Sequence, residues 1–150
     1  MKKYQKPLPT TYLFIYLVIA IALTLLLPSL KLIQPPFTYL GIPFIVFGLW
    51  LTFWVDIILK KKKTAVKPQE KPSTLIIDGP FRFSRHPMYL GFVGWLLGLA
   101  ILTGNLAFFL APIAMLITFA ILFIPYEERK MEETFGLKYR EYKKRVRQWL

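Results

Sequence analysis

Four long apolar stretches, separated by short polar or helix-breaking segments, constrain the fold of this 150-residue chain more than any other feature. A helix needs about 20 mostly apolar residues to cross the hydrocarbon core of a bilayer, where less regular backbone finds no hydrogen-bond partners. The stretches therefore predict membrane-spanning helices. The predicted spans are residues 12–30, 37–59, 88–103 and 106–125.

The last two spans are separated only by a short turn that contains Gly104 and Asn105. Because Gly-Asn favours a tight turn, these spans predict a helical hairpin, with a re-entrant pair as the alternative. The sequence thus predicts a single all-α integral membrane domain with about four transmembrane helices. The predicted domain also includes a cytoplasmic loop over residues 60–87 and a cytoplasmic, amphipathic C-terminal helical segment over residues 126–150.

A signal peptide is the competing interpretation of the first stretch, because Lys2 and Lys3 precede it. The stretch is longer than the apolar region of a typical signal peptide, about 7–15 residues, and it lacks a small-residue cleavage site. We therefore predict a retained span.

The basic residues are distributed very unevenly along the chain. Lys+Arg outnumber Asp+Glu by 20 to 8, and in a soluble protein the net charge of +12 would suggest a nucleic-acid partner. Here 19 of the 20 lie in the two termini and the middle loop, which an even number of spans places on one side, and only Lys31 lies on the other. The positive-inside rule then predicts cytoplasmic termini. Topology and anionic lipid headgroups account for the charge, so we expect no nucleic-acid partner.

The composition also limits the chemistry of any site. Apolar residues make up 55% of the chain, which excludes disorder. The absence of cysteine excludes disulfides, thiolate metal sites and a cysteine nucleophile. With His86 as the single histidine, we expect no metal centre of the usual zinc type.

Two polar segments next to predicted spans carry the candidate site residues. Pro87 suits the first position of the third helix, which places Arg85 and His86 at a helix N-terminus, a favourable place for a carboxylate or phosphate. Glu127 and Glu128 follow the fourth span. They are either first-turn residues that favour a helix N-terminus or functional carboxylates at the membrane boundary.

Two further patterns have simple structural interpretations. Asp56 and Lys60 are spaced for an ion pair on one helix face. The C-terminal segment carries a helical stripe of apolar and aromatic residues with basic residues off it, which predicts a packed or membrane-surface helix that Gly136 can divide. Two tyrosines of this stripe are alternatively walls of a ligand pocket. The stripe consists of Met131, Phe135, Tyr139, Tyr142, Val146 and Trp149.

Residues 74–149 resemble the isoprenylcysteine carboxyl methyltransferase family, with phospholipid N-methyltransferases as looser relatives. The resemblance rests on a string that runs from Gly79 through Arg85-His86-Pro87-Met88-Tyr89-Leu90-Gly91, followed by the hairpin and Glu127-Glu128 with Phe135-Gly136, Tyr139 and Tyr142. It implies an integral membrane enzyme that uses S-adenosylmethionine without a soluble Rossmann domain. No Gly-rich strand-to-helix turn of that domain occurs in the sequence.

The resemblance also implies which residues bind the cofactor and which take part in the reaction. In the eukaryotic relatives an Arg four residues before the first glutamate is implicated in handling the substrate, and Phe123 stands at that position here. The cofactor-binding residues that the resemblance implies are Ser73, Thr74, Leu75, Ile76, Phe81, His86, Pro87, Met88, Tyr89 and Glu127. The predicted catalytic residues are His86, Arg85 and Glu128.

Methyl transfer asks mainly for positioning, because the reaction is an in-line displacement at a sulfonium methyl. Glu127 can accept from the cofactor's ammonium group, and Phe81 and Tyr89 offer ring faces to adenine or to the sulfonium. A carboxylate acceptor needs no general base, whereas an amine or phenol would make His86 the candidate base. We expect an amphiphilic, lipid-like acceptor that enters from the membrane. An NADPH-dependent, sterol-reductase-like oxidoreductase and a non-catalytic membrane protein are the alternatives.

Overall fold

The computed structural model describes residues 7–28, 30–64 and 72–150, and within them every regular element is helical. This confirms the predicted all-α class. An isolated bridge between Lys31 and Asn105 is the only β-type pairing in the described part. The helices are α1 (Pro9–Leu26), α2 (Gly41–Lys61), α3 (Pro87–Thr103), α4 (Leu110–Thr118), α5 (Ile124–Phe135) and α6 (Leu137–Arg145).

Three helical segments are long and apolar enough to cross a membrane: Pro9–Leu26, Phe37–Lys61 and Leu106–Phe135. The shorter α3 is also apolar, and it packs in the interior, where Leu96 and Ala100 are fully buried. Large apolar side chains on the outer faces of the long helices remain exposed in the chain itself. Such a surface is stable only against lipid, so the chain is an integral membrane protein.

The helix ends differ from the predicted spans at two proline-containing places. Helix α1 begins at Pro9, which suits a first helical position, and ends at Leu26, shortly before Pro28. The predicted fourth span ends at residue 125, and the helical segment continues beyond it to Phe135. A π-helical turn, Phe119–Phe123, directly precedes α5, and Pro125 lies in the first turn of α5.

Helices α2 and α3 pack closely against each other, and each helix contributes glycines to the contact. Gly41 and Gly48 of α2 face Gly91 and Gly98 of α3. A Cβ atom built on Gly98 would lie 2.6 Å from the backbone N of Ile45 and 2.7 Å from the carbonyl O of Gly41. Small residues permit this close packing between membrane helices, and the contact sets the position of α3 against α2.

The predicted hairpin turn is confirmed at Gly104 and Asn105. Gly104 adopts φ +65° and ends α3, while Asn105 Oδ1 accepts the backbone N–H of Ala107 at 2.8 Å. The Asn105 Nδ2 donates to the carbonyl O of Leu27 at 2.8 Å, which ties the turn to the end of α1. The end of the bundle far from the polar loop is thereby closed.

An aromatic cluster fills the other half of the bundle. Tyr89 stacks on Phe119 with ring centroids 4.2 Å apart, and Phe123 meets both Phe119 and Tyr12 edge to face. The Tyr16 hydroxyl and Thr118 Oγ1 lie 2.6 Å apart. This packing gives Tyr89 a fixed position at the first turn of α3.

Candidate functional site

A cavity of about 270 Å³ lies where the start of α1, the end of α2, the polar loop, the start of α3, α5 and α6 meet. Its wall is mostly apolar, with a few polar groups from the start of α3 and from α5. A small number of convergent polar groups in an otherwise apolar pocket is typical of small-molecule sites, although this volume is just below their usual range of about 300–1,000 Å³.

Of the cofactor-binding residues predicted in the polar loop, only some lie in the wall of the cavity. Thr74, Ile76 and Phe81 line the cavity. Ser73 and Leu75 do not, and the Ser73 hydroxyl instead donates to the carbonyl O of Lys63 at 2.9 Å.

The start of α3 contributes all the residues predicted there. His86 precedes the helix, Pro87 is its first residue, and both are buried. Met88 and Tyr89 follow them in the cavity wall. The His86 and Tyr89 rings are stacked with centroids 5.7 Å apart. Proline at the first position costs no helical hydrogen bond, which explains why the helix begins here.

Glu127 is the carboxylate that faces the cavity. It lies in the first turn of α5 and accepts a hydrogen bond from the Tyr89 hydroxyl at Oε1. Its other oxygen, Oε2, lies 3.3 Å from Nδ1 of His86. Two partners from the start of α3 therefore hold this carboxylate in one orientation.

His86 is placed between the two glutamates. Its Nε2 lies 3.5 Å from Oε1 of Glu128 and has no hydrogen-bond partner within ordinary distance in the described part of the chain. Burial opposes the charged imidazolium, but the two carboxylates beside the ring, Glu127 and Glu128, stabilise it more and raise the pKa of His86 above 6.5. The ring consequently stays protonated to a higher pH than a free histidine.

Arg85 and Glu128, both predicted as catalytic, bind each other. The Nε and Nη2 atoms of Arg85 donate to Glu128 Oε1 at 2.9 and 2.6 Å, and Lys143 Nζ lies 3.1 Å from Oε2. Arg85 lines the cavity, whereas Glu128 does not, and the nearby Arg82 is exposed and also outside the wall. This pairing gives Arg85 and Glu128 a role in holding the wall together.

Helix α6 closes one side of the cavity with Tyr139 and Tyr142, as the alternative interpretation of the C-terminal stripe expected. The Tyr142 hydroxyl donates to the carbonyl O of Phe81 at 2.6 Å. Burial raises the pKa of both phenols far above its ordinary value, so they remain neutral. Gly136, at φ +54°, separates α5 from α6 and allows this fold-back.

Several wall residues were not predicted. Val55 and Leu59 of α2 and Pro9 of α1 line the cavity, yet in the sequence they are ordinary members of apolar helices. Thr64 also lines it, and the lysine run before it gives no signal of such a role. Phe123, which stands where the eukaryotic relatives have an Arg, packs in the aromatic cluster and is not part of the wall.

Comparisons with known proteins find similar methyltransferases. The family model described as phospholipid methyltransferase matches residues 36–138, which include every predicted site residue. The chain is 33% identical over 78 residues to protein-S-isoprenylcysteine O-methyltransferase B of Arabidopsis thaliana, covering 52% of this chain and 40% of that protein. It is 36% identical over 78 residues to the protein-S-isoprenylcysteine O-methyltransferase of Schizosaccharomyces pombe, covering 52% and 33%.

A solved structure shares the fold over nearly the whole chain. The eukaryotic intramembrane Ras methyltransferase ICMT (isoprenylcysteine carboxyl methyltransferase) aligns with a TM-score of 0.69 and 25% sequence identity. The alignment covers 94% of this chain and 51% of that one. The present chain thus corresponds to about half the length, or less, of these relatives.

Proposed function

Because the chain belongs to the phospholipid methyltransferase family, we propose that it transfers a methyl group from S-adenosylmethionine to an amphiphilic, lipid-like acceptor at the cytoplasmic edge of the membrane. One observation carries the proposal. The Glu127 carboxylate, held by Tyr89 and His86, lies in the wall of an otherwise largely apolar cavity among membrane helices.

The residues of the cavity fit the chemical groups of S-adenosylmethionine. Glu127 supplies an acceptor for the ammonium group. Phe81 and Tyr89 present aromatic surface to the adenine ring or the sulfonium. The phenols of α6 are neutral and add aromatic wall without further charge.

When bound, S-adenosylmethionine supplies an electrophilic methyl group on a positively charged sulfur. The task of the chain is then to align that methyl with the acceptor, because orientation contributes much of the barrier reduction in a displacement between two bound molecules. A fixed Glu127 and a fixed Tyr89 ring do this at one end. The apolar wall from α1 and α2, with Pro9, Val55 and Leu59, is suited to the acyl or prenyl part of the acceptor.

The surroundings of His86 favour a carboxylate as the methyl acceptor. Its Nδ1 lies 3.3 Å from Glu127 and its Nε2 lies 3.5 Å from Glu128, so the ring is placed to orient Glu127 rather than to take a proton from an acceptor. A carboxylate nucleophile carries no proton to be removed, whereas an amine would need a base. The relatives named protein-S-isoprenylcysteine O-methyltransferase carry out methyl transfer to oxygen, as their names state.

Calorimetric titration and methyl transfer test the proposal together. The purified chain in detergent should bind S-adenosylmethionine and not NADPH. With radiolabelled donor, it should methylate a prenylated cysteine with a free carboxylate better than phosphatidylethanolamine, and a water-soluble carboxylic acid least. Binding of NADPH alone would support a reductase, and binding of neither would support a non-catalytic protein. Methylation of the water-soluble acid alone would overturn the lipid-like acceptor.

A further inference from the structure

The hydroxyl of Thr64 bridges the end of α2 and the loop segment that returns to the cavity. Thr64 is buried, and its Oγ1 accepts the backbone N–H groups of Ser73 and Thr74 at 3.2 and 3.3 Å. The same oxygen lies 3.4 Å from the carbonyl O of Thr74, to which it can donate. One side chain thus makes three polar contacts with two consecutive backbone units.

The end of α2 is shaped so that this hydroxyl faces the loop. The backbone N–H of Thr64 donates to the carbonyl O of Leu59 at 3.2 Å, and Lys63 adopts φ +48°, the left-handed region. This conformation is uncommon for residues other than glycine, and here it turns the chain out of the helix. The Ser73 hydroxyl adds a second link by donating to the carbonyl O of Lys63 at 2.9 Å.

The bridged segment is part of the wall of the proposed cofactor site. Thr64 itself, Thr74 and Ile76 line the cavity, and Ile76 is buried. The Thr64 hydroxyl holds the backbone N–H and carbonyl O of Thr74 in place, and it thereby also positions Ile76, the next wall residue along the chain. No regular secondary structure holds residues 72–78 in place, so this side-chain bridge supplies the constraint that a helix or strand would supply.

We propose that Thr64 is a positioning residue for S-adenosylmethionine, which acts by fixing the backbone of Ser73 and Thr74 and thereby the place of Thr74 in the cavity wall. The inference rests on the proposed function. It adds a residue outside the set that the family resemblance implies. The hydroxyl, rather than the size of the side chain, is the group that matters, and this makes the inference directly testable with isosteric variants.

The experiment compares Thr64→Val, Thr64→Ser and a matched control, Thr103→Val. Valine keeps the shape of threonine and removes the hydroxyl, whereas serine keeps the hydroxyl. Thr103 donates to the carbonyl O of Ala100 at 3.0 Å, at the opposite end of α3 from the cavity. The readouts are hydrogen exchange at the amides of Ser73 and Thr74, calorimetric affinity for S-adenosylmethionine, and the KM and kcat of methyl transfer.

In Thr64→Val, we expect faster exchange at both amides, and a Kd and donor KM about tenfold higher, since about two ordinary hydrogen bonds are lost. The kcat at saturating donor should change less than about twofold, because no reacting group is removed. Thr64→Ser should stay within about threefold of the wild type, and Thr103→Val should leave the Kd unchanged. Should the valine variant fail to fold, Ser73→Ala removes the second link from an exposed position and should raise the Kd about threefold.

The outcomes separate this inference from the proposed function. If the wild-type chain binds S-adenosylmethionine and Thr64→Val binds it equally well, the inference about Thr64 is overturned and the proposed function stands. If Thr64→Val does not fold, an unchanged affinity of Ser73→Ala has the same meaning. An equal loss of affinity in Thr64→Ser and Thr64→Val also overturns the inference about Thr64. A wild-type chain that binds no S-adenosylmethionine overturns the proposed function, and the role of Thr64 in donor binding falls with it.

Discussion

The Nη1 of Arg85 donates a hydrogen bond to the main-chain carbonyl O of Val146 at 2.7 Å, across 61 residues of sequence. Val146 is the C-cap of α6, so the guanidinium satisfies a carbonyl at the negative end of that helix. The same side chain binds Glu128 of α5. The residue before His86 therefore joins the start of α3 to both helices that close the cavity.

Removing this guanidinium should destabilise the protein strongly. The Arg85 and Glu128 side chains are only 10% and 14% exposed, so Arg85→Ala leaves a mostly buried carboxylate and a helix end without their main partner. We expect a loss of about 3–5 kcal/mol in the free energy of unfolding, measured by chemical unfolding in detergent. Arg140→Ala is the control, because its pair with Glu132 is 62% and 33% exposed and is worth at most about 1 kcal/mol. Equal losses in both variants would contradict this role.

Glu127→Gln should weaken binding of S-adenosylmethionine about 10- to 100-fold. Glutamine has nearly the same shape but loses the negative charge, and a hydrogen bond to a charged group contributes about 1.5–3 kcal/mol. Calorimetric titration measures the effect. Glu133→Gln, in the same helix α5 but exposed, makes the same charge change away from the cavity and should bind as the wild type does. Loss of binding in both variants would point to net charge instead.

The stability of the protein should depend on pH through His86. Its pKa is raised in the folded state, so the imidazolium contributes stability that is fully present below pH 6.5 and is lost as the pH rises through the folded-state pKa. Unfolding in detergent at a series of pH values should show this decline in the wild type and a smaller one in His86→Gln. A parallel decline in both proteins would assign the dependence to other groups.

The glycine contact between α2 and α3 should tolerate no added methyl group at Gly98. A Cβ there would lie 2.6 and 2.7 Å from backbone atoms of α2, which cannot move aside as a side chain can. We expect Gly98→Ala to cost about 1–3 kcal/mol of unfolding free energy. Gly94→Ala is the matched control on the same helix, since its Cβ would lie 3.7 Å from the nearest atom, Gly48 Cα. Similar stabilities of the two variants would contradict the close packing.

The predicted orientation, with both termini in the cytoplasm, can be tested by cysteine labelling, because the chain itself contains no cysteine. Single cysteines in place of Lys31 and Lys144 can be treated with a membrane-impermeant maleimide on intact cells. We expect labelling of Lys31→Cys alone, and of Lys144→Cys only after the cells are opened, as the positive-inside rule predicts. The reverse pattern would place the proposed site on the other side of the membrane.

Local sequence features predicted the helical framework and the polar residues at its edge. The Gly-Asn turn and the Asp56–Lys60 spacing each concern neighbouring residues, and the structure shows both, with the ion pair at 2.5 Å. Three of the predicted stretches correspond to helices long enough to cross a membrane, and Pro87–Thr103 is a shorter apolar helix. The predicted fourth span ends at Pro125, and the helical segment continues to Phe135 through a π-helical turn, Phe119–Phe123, that nothing in the sequence alone reveals.

The sequence by itself determined that the chain enters a membrane as helices and that His86, Tyr89 and Glu127 lie near the ends of two of them. The family resemblance implied that these three residues share one site, and the tertiary structure brings them to one cavity. Only that structure decided that Arg85 and Glu128 bind each other and that Thr64 takes part in the wall. The physical reason is distance along the chain. Contacts within a helix follow from its period, whereas contacts across about 40 to 60 residues depend on how glycines, aromatic rings and helix ends fit when the helices pack.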